Sequence, residues 1–238
     1  LTYARHASFI DGVDLFDPRF FGISSNEAAA IDPQQRHVLE VAYAACHDAG
    51  RSRKELTKKS IGVFVGQCAN DWAKTWKERK ASTFMGPGTH ASIAANRISF
   101  CLGLEGVSVT VDTACSSTLV ALDMSIQRLG DLEAVLCSGS QLNLIAEPFV
   151  AFCNGRLLSP TGRCKTFDAT ADGFARGEGF GSFFLVKDTA EGACIAGAMS
   201  NQDGRSSSLT APNGPAQQRA IAGALKLAGA SGADIAAV

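Results

Sequence analysis

The chain has 238 residues, 46% hydrophobic and 19% charged, a balance too apolar for a disordered segment and sufficient to bury a core. Twenty-two Lys and Arg stand against 23 Asp and Glu, and a formal net charge of −1 gives no field to gather nucleic acid or an anionic membrane surface. No apolar run approaches the ~18 residues of a membrane span, and no charged-then-apolar leader follows Leu1.

Strand-like and helix-like segments alternate along the chain without a repeat, which predicts an α/β protein. Phe16, Phe20 and Phe21 are expected in the core. Residues 31–50 form the clearest helix, with Asp32 as cap, Pro33 in the first turn and Gly50 at the exit. Its apolar stripe is Val38, Leu39, Ala42, Ala45, Cys46 and Ala49. The basic run at 51–59 reads as a solvated loop, and residues 61–66 (IGVFVG) as a strand buried on both faces.

Trp72 and Trp76 are spaced to share one helix face packed on the domain. GPGTHA (86–91) matches a dinucleotide-loop pattern only formally, because it follows a polar run and contains Pro87; it reads as a turn. Residues 89–98 predict a helix and 107–111 (VSVTV) a β-branched strand. A tight turn at 112–117 leads into a helix with Leu119, Leu122, Ile126 and Leu129 on one face, closed by Gly130. Residues 134–138 are strand-like, and Phe149, Val150 and Phe152 are expected in the core.

Residues 167–181 (FDATADGFARGEGFG) read as an ordered functional loop, in which Asp168, Asp172, Arg176 and Glu178 have a supporting role. Strands are expected at 183–187 and 193–199 and a helix from Pro215 to about Gly229. Residues 231–238 look like the approach to another strand.

The cysteines fall at 46, 68, 101, 115, 137, 153, 164 and 194, and no two are three apart, so the paired spacing of a zinc site or redox dithiol is missing. Metal binding is not expected. Cys46, Cys137 and Cys194 sit in apolar runs as buried hydrophobes, and there is no Asn-x-Ser/Thr sequon. A reducing compartment fits, the cytoplasm or an organellar lumen such as a plastid.

Cys115 is different because it falls at the turn between strand and helix. A thiol there lies near unpaired backbone N–H groups and the positive end of the helix dipole, which favour thiolate. The same groups suit the oxyanion that forms when a thioester carbonyl is attacked. Ala114 is small, Ser116 and Ser117 are capping residues, and Thr118 keeps the first turn polar.

VDTACSSTLVAL (111–122) resembles the active-site signature of β-ketoacyl synthases, especially those of type I polyketide synthases. FDPRFFGIS (16–24), IDPQQRHVLEVAYAACHDAG (31–50), ANRISFCLGLEG (95–106), LSPTGRCKTFDATADGFARGEG (158–179) and NQDGRSSSLTAPNGPAQQRAI (201–221) resemble further family segments, in family order. The resemblance implies a thiolase-like layered α-β-α-β-α fold, of which this chain holds mostly the N-terminal half. Residues 1–238 are then a partial domain, lacking an N-terminal strand and helix and the C-terminal half.

It also implies a homodimer, with residues 89–111 near its interface, and Cys115 as the catalytic nucleophile. Cys115 takes an acyl group from the phosphopantetheine arm of an acyl carrier protein, and a malonyl-type extender then loses carbon dioxide and attacks it. No cofactor is expected to bind the chain directly. The family adds two histidines, one in an HGTGT segment and one in a later Gly-His context. His6, His37, His47 and His90 carry neither motif, so this chain alone is not expected to condense. The alternatives are a noncatalytic chain-length-factor-like relative, which typically lacks the cysteine, and a thiolase-type enzyme loaded from coenzyme A.

Overall fold

The computed structural model describes residues 2–68, 70–76, 81–187 and 192–237. The strands β1 (Ile61–Gln67), β2 (Ser108–Val111), β3 (Ala134–Gln141) and β4 (Gly179–Leu185) make one sheet in the order β2-β1-β3-β4. β1 lies parallel to both neighbours, with Gly66 opposite Val111 on one side and Gly139 on the other, and β4 runs antiparallel to β3. Every residue of β1 is buried, which is why its sequence is an apolar run and not an alternation.

The helices in chain order are α1 (Ser25–Ala30), α2 (Pro33–Asp48), α3 (Arg53–Leu56), α4 (Asp71–Thr75), α5 (Met85–Thr89), α6 (Ser92–Leu102), α7 (Ser117–Arg128), α8 (Glu147–Asn154) and α9 (Gly214–Ala228). No helix among the described residues is long and apolar enough to cross a membrane. α2 starts where the sequence predicts: Asp32 Oδ1 accepts the Gln34 N–H at 2.8 Å and Pro33 occupies the first turn. Its predicted stripe buries Val38, Leu39, Ala42 and Cys46, while Ala49 is exposed at the exit.

α2 and α6 cover one face of the sheet, where Ile31, Leu39, Leu56, Ile98 and Leu102 are among the buried side chains of the larger core cluster. α7 covers the other face, where the buried cluster is Phe64, Ala121, Val135 and Cys137. Arg97 crosses the larger core as a buried cation, pairing with Glu27 at 2.7 Å and donating to Gln35 Oε1 at 3.0 Å and Pro87 O at 3.2 Å. These contacts tie α6 to α1, α2 and α5, and the extra hydrogen bonds offset the desolvation such a charge suffers.

Several expectations are corrected. Residues 193–199 form no strand: a strand needs a partner ladder, and this segment instead lies along α9, where a Cβ on Gly197 would come within 2.5 Å of Ala224 O. Cys194 is accordingly exposed. The strand expected at 183–187 begins earlier, at Gly179, because β3 pairs with it from Gln141 onward. The helix expected at 89–98 runs Ser92–Leu102, and GPGTHA belongs to the short α5 and the bend after it instead of a simple turn.

Phe21 is core as expected, but Phe20 is 44% exposed, and Phe149, Val150 and Phe152 are only half-buried. Trp72 donates from Nε1 to Ala30 O at 2.9 Å and Trp76 is buried, so the pair packs on the domain. Residues 231–237 hold a short 3-10 turn (Gly232–Asp234) and no strand, and Val238 lies outside the described residues.

The predicted stripe of α7 is rotated. Leu119 is 70% exposed, and the buried line is Ser117, Ala121 and Ser125, with Leu122 and Leu129 at its edge. Small residues face inward because the helix sits unusually low on the sheet, for a reason that also positions the site.

Candidate active site

The three parallel strands end on one edge, and the chain leaves β1 between neighbours entered from opposite sides, the crevice where open α/β sheets place their ligands. Cys115 lies there, four residues past Val111, in a 3-10 turn (Ala114–Ser116) that runs into α7. Glycine lets α7 descend. A Cβ on Gly66 would stand 2.4 Å from the Cα and N of Thr118, and one on Gly139 would stand 2.4 Å from Thr118 Oγ1.

The turn is fixed by its own side chains. Ala114 N–H donates to Asp112 Oδ1 at 2.9 Å, Thr113 N–H to Ser117 Oγ at 2.9 Å, and Ser117 Oγ–H to Ala114 O at 2.7 Å. Ser116 turns away from the helix and donates to Thr113 O at 2.9 Å, so the serines lock the turn instead of capping α7 as expected. Ala114 is held at φ +57°, a left-handed conformation costing roughly 1–2 kcal/mol for a residue with a Cβ. Such strain next to an exposed thiol is the kind that surrounding structure maintains at a functional position.

Cys115 is exposed and lines a cavity of about 630 Å³ together with Cys68, Gln141, Asn143, Phe152 and Arg176, among others. Burial separates two of the other thiols chemically, pushing Cys46 up to about 12 and Cys137 up to about 11, while Cys164 and Cys194 are exposed like Cys115 but do not line the cavity. Cys68 is also raised, by burial first and by the Asp112 carboxylate second.

The far wall is the loop before β4, at residues 174–177, and Asn143 holds it. Asn143 N–H donates to Glu178 Oε1 at 2.8 Å, its Nδ2 donates to Gly177 O at 3.3 Å, and its Oδ1 accepts from Arg176 Nε at 2.8 Å and from Arg176 Nη2. Glu178 Oε2 accepts the Ile10 N–H at 3.1 Å, which anchors the loop to the N-terminal segment. Asp168 and Asp172 do not line the cavity. Asp168 shapes its own turn, the Thr170 N–H holding its carboxyl below the usual range, and Asp172 pairs with Lys165 at 3.0 Å.

None of the histidines lines the cavity. His37 has both ring nitrogens engaged, Nδ1 with Glu40 at 2.8 Å and Nε2 with Val13 O at 3.0 Å, and the Glu40 contact raises its pKa. His6, His47 and His90 are exposed. Sequence reasoning placed Cys115, Arg176 and Glu178 but missed Cys68, Gln141, Asn143 and the wall role of Phe152. Cys68 and Gln141 lie two and three residues past the strands predicted at 61–66 and 134–138, and that place beyond a strand's carboxyl end was the available signal.

Solved structures share this fold. The chain superposes with a TM-score of 0.89 on an oxazolomycin ketosynthase domain from Streptomyces albus, at 31% identity over 98% of this chain and 43% of that one. It superposes with a TM-score of 0.84 on the ketosynthase from module 6 of the bacillaene synthase of Bacillus subtilis, at 33% identity over 96% of this chain and 40% of that one. The fold is therefore thiolase-like, with the sheet and its two helical layers described here.

The family description "Beta-ketoacyl synthase, N-terminal domain" matches residues 1–191, and "Beta-ketoacyl synthase, C-terminal domain" matches residues 192–238. The chain belongs to the β-ketoacyl synthase family. It is 42% identical to the mycoketide-CoA synthase of Mycobacterium tuberculosis over 98% of this chain, and 42% identical to a pikromycin polyketide synthase component of Streptomyces venezuelae over 98%. It spans only 6% and 7% of those two proteins.

Proposed function

We propose that this chain is the nucleophile-bearing part of a ketosynthase domain that performs decarboxylative Claisen condensation in polyketide or fatty-acid biosynthesis, with Cys115 as its catalytic residue. The observation that carries the reading is an exposed thiol at the start of α7, opening into a cavity at the carboxyl edge of the sheet. In the first stage the Cys115 thiolate attacks the thioester carbonyl of an acyl group on the phosphopantetheine arm of an acyl carrier protein. The arm's thiolate leaves, and the acyl group remains on Cys115.

In the second stage a malonyl thioester loses carbon dioxide. The released electron pair forms the bond to the acyl carbonyl carbon, and Cys115 departs as thiolate. The groups that assist decarboxylation are proposed to come from elsewhere in the parent protein, since none of this chain's histidines lines the cavity. The proposal includes a homodimer, no resident cofactor, and a reducing compartment such as the cytoplasm or a plastid, supported by free cysteines.

The test is acyl transfer from a radiolabelled acyl carrier protein to the full-length parent, followed by peptide mapping. Label is expected on Cys115 and absent from the Cys115→Ala variant. Label on another cysteine, or undiminished labelling of the variant, overturns the assignment. Faster loading from coenzyme A than from the carrier protein favours the thiolase-type alternative.

A further inference from the structure

We propose that Arg176 is a specificity-determining residue that receives the carboxylate of the extender unit, and so admits β-carboxy thioesters to the cavity of Cys115. This rests on the condensing reading above. Among the described residues lining that cavity Arg176 alone carries a formal charge. It is half-buried, and burial is the leading influence on its guanidinium, pulling its pKa down.

A partly desolvated cation calls for a counter-ion, yet among the described residues Arg176 has no ion-pair partner within 4.0 Å. The nearby carboxylates are engaged elsewhere. Glu178 accepts backbone N–H groups of Asn143 and Ile10, and Asp71, which acts on Arg176 at longer range, accepts the Leu144 N–H at 3.1 Å.

The guanidinium is nevertheless held in one orientation. Asn143 Oδ1 accepts from both Nε and Nη2, and the rings of Phe149 and Phe152 lie 4.9 and 5.1 Å from the guanidinium carbon. A neutral amide and two aromatic rings fix the plane without neutralising the charge. A guanidinium has five N–H donors in a planar fork that matches a carboxylate, so the arrangement is preorganised for one anion.

The reaction brings an anion of that kind. A malonyl-type extender carries a carboxylate two carbons from the thioester sulfur, and an uncharged acyl donor carries none. The phosphate of the pantetheine arm is the other candidate, but it lies at the far end of the arm from the thioester, while Arg176 shares a cavity with Cys115, the thiol that the thioester carbonyl must reach. When the extender loses carbon dioxide the electron pair stays on the α-carbon and the ion pair disappears, with Arg176 still protonated. While the carbon–carbon bond is breaking the carboxylate is still in place, so the contact is felt in the bound extender and at the start of cleavage alike and acts on KM more than on kcat.

The experiment uses the full-length parent carrying Arg176→Gln or Arg176→Lys, with malonyl-N-acetylcysteamine as a phosphate-free extender and an acyl-N-acetylcysteamine as uncharged donor. In Arg176→Gln the extender KM is expected to rise at least about tenfold more than the acyl-donor KM, the size of a lost charge-assisted contact. Arg176→Lys recovers most of that difference because the charge remains. Equal shifts in both KM values, or a lysine variant as impaired as the glutamine one, overturn the proposal in favour of a purely structural role. A KM shift seen only with phosphopantetheine-borne extender assigns the contact to phosphate and also overturns it. Failure of wild-type Cys115 to load sinks the condensing reading itself, a result distinct from normal loading with an unmoved extender KM.

Discussion

The two faces of the sheet are built for different ends. Under α2 and α6 the buried side chains are large, Leu39, Leu56, Ile98 and Leu102 among them, and the helices stand off the strands by the width of those side chains. Under α7 the helix presents Ser117, Ala121 and Ser125 to a sheet that answers with Gly66 and Gly139. The first face supplies apolar burial, at ~25 cal/mol per Å² of area removed from water. The second has a smaller buried cluster around Phe64 and, at Gly66 and Gly139, close backbone approach, and the approach sets Cys115 at the edge of the strands. Stability and chemistry are thus divided between the faces, and substitutions on each should fail differently.

The sharpest break of this division is Gly66→Val. Its side chain has no space above the Thr118 backbone, so α7 must lift, and the full-length parent is expected to lose about 4 kcal/mol or more together with Cys115 loading. Denaturant titration and acyl-transfer rates measure the two losses. Retained loading at wild-type rate would show that the glycine bed does not set the position of the nucleophile.

Leu39→Ala on the opposite face is expected to cost about 2–5 kcal/mol through the cavity it leaves, since Leu39 is fully buried. The rate of Cys115 loading per folded molecule should change far less than in Gly66→Val. A comparable fall in loading would mean that the two faces are mechanically coupled.

The α2 face also carries a pH-sensitive group. Asp32 is fully buried, its Oδ2 has no hydrogen-bond partner among the described residues, and burial pushes its pKa from 3.8 up to about 6. The native state therefore holds this proton more tightly than the unfolded chain does. The destabilisation is absent below about 3.8, grows as pH rises, and is complete above about 6, reaching about 3 kcal/mol. Asp32→Asn keeps a capping oxygen for the Gln34 N–H and should flatten that segment of the stability–pH curve. Parallel curves for wild type and variant between those pH values would remove Asp32 as their source.

The sequence was most legible where a local rule was enough. Asp32, Pro33 and the stripe through Cys46 announced α2, and the apolar run at 61–66 announced a buried strand, because capping and periodicity act within a few residues. The turn that carries Cys115 was legible for the same reason: strand, turn and helix follow one another directly. The inward face of α7 was not. Hydrophobicity pointed to Leu119, but the glycines that decide how low the helix lies come from β1 and β3, remote in sequence.

Arg176 and Glu178 were visible as charges in a glycine-rich loop, while Asn143, which gathers them, was an unremarked residue after a strand. The apolar segment at 193–199 had the composition of a strand without a ladder to join, since strands are defined by partners. What the sequence by itself determined is the capped helix α2, the buried strand β1, the family and the place of Cys115 between strand and helix, all encoded over short spans. Only the tertiary structure decided which residues share the cavity and how close α7 lies to the sheet, because those distances depend on atoms brought together from strands far apart along the chain.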